Sequence, residues 1–156
     1  RGYLAAYGIL DRRVWVADSF AGLPVPSVAQ DQGCDFSAGV VPILAISREE
    51  VEELFRRYDL LDERVRFLVG WFKDTLPSAP IDQLALIRLD GDLYESTMDG
   101  LNHLYAKLAP GGFVIADDYG DFEPCKTAVD EFRARHDITE PITPIDWTGV
   151  FWRKSL

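Results

Sequence analysis

Four short runs, Val14–Asp18, Val65–Val69, Leu84–Asp90 and Phe113–Asp117, are nearly continuous in Val, Ile, Leu, Phe and Ala. Runs of this length and composition read as strands, and continuity in place of alternation marks strands buried on both faces. The stretches between them have helical period, and such alternation is the pattern of a mostly parallel sheet covered by helices. Ser47–Tyr58 opens with a capping box, Ser47 and Glu50, and sets Val51, Leu54, Phe55 and Tyr58 on one face. Ser96–Leu108 aligns Met98, Leu101, Tyr105 and Leu108, and Pro110-Gly111-Gly112 ends it. Pro124–His136 aligns Cys125, Ala128, Val129 and Phe132. The tail, Ile142–Asp146 and Gly149–Arg153, reads as an antiparallel hairpin at the sheet edge. The expectation is one α/β domain over residues 1–156, with Arg1–Leu10 as the middle of a helix in a chain that began earlier.

The exception is Ala21–Pro42, rich in Pro, Gly, Ser and Gln and without period. A loop of this length is either disordered or functional, as a lid. The formal charge of −10, from 26 acidic and 16 basic residues, repels phosphate backbones and anionic lipid, which argues against nucleic-acid and membrane-surface partners. Cys34 and Cys125 have neither the spacing of a disulfide framework nor His partners for zinc. No apolar stretch approaches the roughly 20 residues of a membrane span, and no signal peptide is recognisable. A cytoplasmic setting is expected.

The acids cluster where the strands end. Leu84–Asp92 reads LALIRLDGD and delivers Asp90 and Asp92 at a strand terminus, with Gly91 allowing a close turn. Phe113–Tyr119 reads FVIADDY and delivers Asp117 and Asp118. In open parallel sheets ligands gather at the carboxyl ends of strands. A single Asp there is most simply a cap or turn former. Four on two buried strand ends repel one another unless a cation sits among them, and few hard oxygen donors with room for water suit Mg²⁺.

Asp18 ends the first run, where an acid either accepts ribose hydroxyls or forms a local turn. Gly70-Trp71-Phe72 follows the second run, with rings that stack on a purine or serve as core. His103 and His136 read as helix residues on the surface, Ser96 and Thr97 as helix caps, and Trp147 and Trp152 as packing in the hairpin.

With these pieces placed, the chain resembles the macrocin O-methyltransferase family, which includes enzymes that methylate deoxysugar hydroxyls of macrolides and of the aminocoumarin novobiocin. The matching stretches are VWVADSFAGLP (Val14–Pro24), LVGWFKDTLP (Leu68–Pro77), IRLDGDLYEST (Ile87–Thr97), LAPGGFVIADDYG (Leu108–Gly120) and CKTAVDEFR (Cys125–Arg133). They run in family order and cover most of the chain.

The resemblance implies a Rossmann-like S-adenosylmethionine-dependent methyltransferase fold. It implies a Mg²⁺ site at Asp90, Asp117 and Asp118, Asp92 as general base, Asp18 and Ser19 at the cofactor ribose, and Gly70, Trp71 and Phe72 near the adenine. The spacing of the acids is similar to the metal triad of catechol-type O-methyltransferases, with Asp118 where that group has Asn. The Lys of that group, three residues after the first ligand, is replaced by Leu93, which moves the base to Asp92. The substrate implied is a small glycosylated natural product, as in antibiotic biosynthesis.

The family's first strand, with its glycine loop for the methionine end of the cofactor, is expected upstream of Arg1, between the strands Val14–Asp18 and Leu84–Asp90. Without it two edges lack partners, so either weak cofactor binding or pairing by another copy, a homo-oligomer, is expected. Two rivals stand beside this reading. One is a Mg²⁺-dependent phosphohydrolase of the haloacid dehalogenase type, which also uses Asp-x-Asp at a strand end, although Tyr94 stands where that class has Thr or Val. The other is an inactive fragment. The particular sugar hydroxyl and aglycone are not written in the sequence.

Overall fold

The structure, a computed structural model, describes residues 1–156. It comprises two compact units, one of Arg1–Pro24 with Phe36–Thr75 and the other of Val25–Asp35 with Leu76–Leu156.

In the first unit, α1 (Gly2–Ala6) precedes β1 (Val14–Asp18), α2 (Arg48–Arg57), β2 (Val65–Val69) and the single turn α3 (Phe72–Thr75). β1 and β2 pair in parallel, from Val14 opposite Val65 to Asp18 opposite Val69. The capping box of α2 is complete: Ser47 Oγ accepts the Glu50 N–H, and the Glu50 carboxylate accepts the Ser47 N–H. Arg1–Leu10 is a correction. The helix covers only Gly2–Ala6, and Gly8, at φ +63°, turns the chain away from it.

In the second unit, β3 (Leu84–Leu89), α4 (Tyr94–Leu104), β4 (Leu108–Ala116), α5 (Glu123–Arg135), β5 (Thr143–Pro144) and β6 (Val150–Arg153) build a sheet in the order β3-β4-β6-β5. β3 and β4 are parallel, while β4–β6 and β6–β5 are antiparallel, so the tail is the expected edge hairpin. Ile87, Leu89, Val114, Ala116 and Trp152 from the sheet pack with Leu101 of α4 and Ala128, Val129 and Phe132 of α5. Gly100 permits the close approach of α4 to β3, because a Cβ there would lie 2.6 Å from Leu89 Cδ2.

Several boundaries and burials differ from expectation. Ser96 lies inside α4, which begins at Tyr94 and ends in a 3-10 turn, Tyr105–Lys107. Pro110-Gly111-Gly112 belongs to β4, where the pairing with β3 is irregular. Burial on both faces is met in none of the four strands: β1 has no buried residue, β2 has only Val65, and in β3 and β4 one face is open. Ile87 and Val114 are buried, but Leu86 is 50% and Phe113 38% exposed, because α4 and α5 pack on one face. Trp152 is fully buried, whereas Trp147, in the hairpin turn, is exposed. β1 pairs only with β2, and β3 only with β4.

The long loop is structured. Leu23 bridges Ser37 in the first unit, and a 3-10 turn, Ala29–Asp31, brings a fully buried Asp31 into the second. No helix is long and apolar enough to cross a membrane.

Candidate active site

The parallel register of β3 and β4 aligns their carboxyl ends. Leu89 lies opposite Ala116, and the Asp117 N–H donates to the Leu89 carbonyl at 2.9 Å. The next residue on each strand is therefore an Asp, side by side with the other. Asp90, Asp117 and Asp118 each offer a carboxylate oxygen, and these oxygens all lie within 4.8 Å of one another. Opposed ligands of an octahedral Mg²⁺ stand about 4.2 Å apart. Only one pair among three such ligands can be opposed, and neighbouring ligands stand about 3 Å apart, so these three hard oxygen donors suit a small divalent cation once side-chain rotation draws them together.

Asp92 belongs to the same cluster. Its N–H donates to Asp118 Oδ2 at 3.2 Å, and its backbone is left-handed at φ +54°, a conformation Asp tolerates better than most residues. Burial, then the neighbouring charge of Asp118 and after it those of Asp90 and Asp117, push the Asp92 carboxyl up to about 7. Asp118 is also raised, by burial first. The cluster thus holds a carboxyl poised to exchange a proton near neutrality.

Two residues of this region went unnoticed in the sequence. Arg88, on β3, reaches two of the acids: Nη2 lies 2.9 Å from Asp90 Oδ2 and 2.9 Å from Asp117 Oδ2, and Nε donates to Asp117 Oδ1 at 3.3 Å. The period of two along a strand carries the signal, since Arg88 shares a face with Asp90. Asp31 accepts the N–H groups of Tyr94 and Glu95 at 2.6 and 3.1 Å, capping α4 where Leu93 cannot. That contact comes from within the long loop and has no local sequence signal.

In the first unit the remaining candidates converge on the carboxyl ends of β1 and β2. The Gly70 N–H donates to the Asp18 carbonyl at 2.9 Å, and Gly70 sits at φ +136°. Asp18 Oδ1 accepts the Phe20 N–H at 2.6 Å, which is the local turn role. Ser19 Oγ donates to the Gly22 carbonyl at 2.6 Å and accepts the Ala21 N–H. Trp71 and Phe72 are half-buried, with Phe72 opening α3. His103 lies in α4, and His136 ends α5, its ring tilted against that of Phe132.

Against known proteins, the chain is 55% identical to demethyldecarbamoylnovobiocin O-methyltransferase of Streptomyces niveus, over 99% of this chain and 60% of that protein. It is 53% identical, over 99% and 60%, to an 8-demethyl-8-(2,3-dimethoxy-alpha-L-rhamnosyl)-tetracenomycin-C 4'-O-methyltransferase of Streptomyces olivaceus. It is 49% identical to mycinamicin III 3''-O-methyltransferase of Micromonospora griseorubida, over 99% and 62%. The chain therefore spans about 60% of the length of these relatives. The structure of the O-methyltransferase NovP superposes with a TM-score of 0.95 at 54% identity, over 99% of this chain and 65% of that one. The calicheamicin methyltransferase CalS11, at 21% identity and a TM-score of 0.69 over 97% of this chain and 65% of that one, shares the fold. The fold is thus that of the α/β methyltransferases, built here from a parallel strand pair and a four-stranded mixed sheet. The macrocin O-methyltransferase (TylF) model matches residues 1–154, the stretch that carries both acidic strand ends, and the chain belongs to that family.

Proposed function

We propose that this protein transfers a methyl group from S-adenosylmethionine to a sugar hydroxyl of an antibiotic-type natural product, with a Mg²⁺ held by Asp90, Asp117 and Asp118. The convergence of those three carboxylates within 4.8 Å, with Asp92 beside them, carries the reading. Family membership supports the reaction class. The named acceptors of its relatives support a glycosylated substrate.

A divalent ion, when bound, would lower the pKa of a substrate hydroxyl that touches it. Asp92 would accept that proton: burial, the largest cause of its raised pKa, persists when an ion offsets the neighbouring charges and makes it a better base near neutrality than an ordinary Asp near 3.9. Asp118 fixes the base, since its carboxylate holds the Asp92 N–H and so sets where the Asp92 side chain starts. Asp18 and Ser19 are assigned to the cofactor ribose, and Gly70, Trp71 and Phe72 to its adenine. Their gathering at the ends of β1 and β2 supports this, because nucleosides bind at that rim of α/β sheets.

The remaining parts of the reading are one cytoplasmic methyltransferase domain, residues 21–42 as its lid, and copies that associate.

The test is transfer of a labelled methyl group to a deoxysugar-bearing acceptor, with and without chelator. Turnover that is lost on chelation and restored by Mg²⁺ is expected. Chelator-insensitive transfer would remove the metal from the account. No transfer, together with no cofactor binding by calorimetry, would favour the inactive reading. Phosphate release from a phosphoester would favour the phosphohydrolase.

A further inference from the structure

Arg88 stands in an unusual place for a cation. Its guanidinium touches Asp90 and both oxygens of Asp117, two of the three acids assigned to the ion. A guanidinium is charged at any working pH and its fork matches paired carboxylates. Burial lowers its proton affinity, but hydrogen bonding to Asp117 and the charges of Asp90, Asp117 and Asp118 outweigh that and raise it. With no ion present, four acids at one rim repel one another, and Arg88 is the positive group in direct contact with two of them.

The same contacts oppose a divalent ion. A second cation drawn to Asp90 and Asp117 meets the guanidinium charge a few ångström away, at a rim where Arg88 is 53% and Asp90 49% exposed by side chain. It also competes for the lone pairs of both Asp117 oxygens. The guanidinium must then share or give up part of its hold.

We propose that Arg88 is an internal counter-cation of the acidic cluster, which holds Asp90 and Asp117 together in the ion-free protein and weakens divalent-ion affinity. This rests on the metal reading above. Arg88 is a positioning residue: it acts through the carboxylates and is assigned no contact with substrate.

The test is binding of Mn²⁺ alone to the purified protein, followed by electron paramagnetic resonance, with the ion-free Tm measured in parallel. Arg88→Gln removes the charge and should tighten Mn²⁺ binding about fivefold at low salt, the size expected of a partly screened charge acting on a dication. The difference should shrink at high ionic strength. The ion-free Tm of Arg88→Gln should fall, because the carboxylates lose their partner. Arg88→Lys keeps the charge and should bind Mn²⁺ much as the wild type does. Equal or weaker Mn²⁺ binding by a folded Arg88→Gln, with the wild type binding, overturns the counter-cation role alone. Absence of binding by both proteins, each folded by circular dichroism, overturns the metal reading and this proposal with it.

Discussion

The Asp31 carboxylate accepts the Tyr94 N–H at 2.6 Å across 63 positions of sequence, and its other oxygen takes the Glu95 N–H. The first turn of α4, two residues after Asp92, is therefore capped by a side chain from the long loop. Ser27 adds a second tie, its hydroxyl donating to the Glu95 carboxylate at 2.6 Å. A carboxyl group fully removed from water is tolerated here because two N–H groups donate to it at the positive end of the helix.

Asp31→Ala should lower unfolding free energy by about 1–3 kcal/mol, the cost of losing a cap and leaving buried donors without acceptors. Asp31→Asn keeps one acceptor but turns an amide N–H₂ toward a donor, so it should fall between the two. Urea unfolding measures both. A midpoint for Asp31→Ala equal to that of the wild type would show that the contact contributes nothing.

The Asp92 carboxyl, raised to about 7, makes the ion-free protein sensitive to pH in a defined direction. The folded state keeps this proton up to about 7, whereas the unfolded chain releases it near 3.9. Between those values the folded state binds more protons, so stability from this group falls as pH rises. Thermal unfolding in chelator should show wild-type Tm declining over that window relative to Asp92→Asn. Parallel profiles for the two proteins would contradict the shift.

Cys125 is 1% exposed in the core beside α4, and burial pushes its thiol up to about 12. It should resist alkylation in the native protein and react only on unfolding. Rapid native labelling of Cys125, read by mass spectrometry, would show that α5 opens readily.

What the sequence made legible follows from local physics. Continuous apolar runs located β1 to β4 because short stretches rich in Val, Ile and Phe suit a pleated backbone whether one face or both are covered. Ser47 and Glu50 announced α2 because a capping box is complete within four residues. Asp90, Asp117 and Asp118 were readable as a group because two strands ending in acids place them together as soon as they pair in parallel. The start of α4 was misplaced because its cap, Asp31, comes from far along the chain. Leu86 and Phe113 read as buried because apolar content reports what a strand can cover, while their exposure reports which face the helices of this unit occupy. Arg88 was overlooked among apolar neighbours, although strand alternation places it on the face of Asp90.

The account turns on Asp92 as the group that takes the proton. Asn at this position keeps the N–H that Asp118 accepts and tolerates the left-handed backbone, so the fold and the carboxylate cluster should persist. The decisive measurement is the single-turnover rate of methyl transfer by Asp92→Asn, made beside its Mn²⁺ affinity. The account predicts a rate lower by about 10²–10⁴-fold, the usual worth of a general base, with Mn²⁺ still bound. A rate within a few-fold of wild type would contradict it.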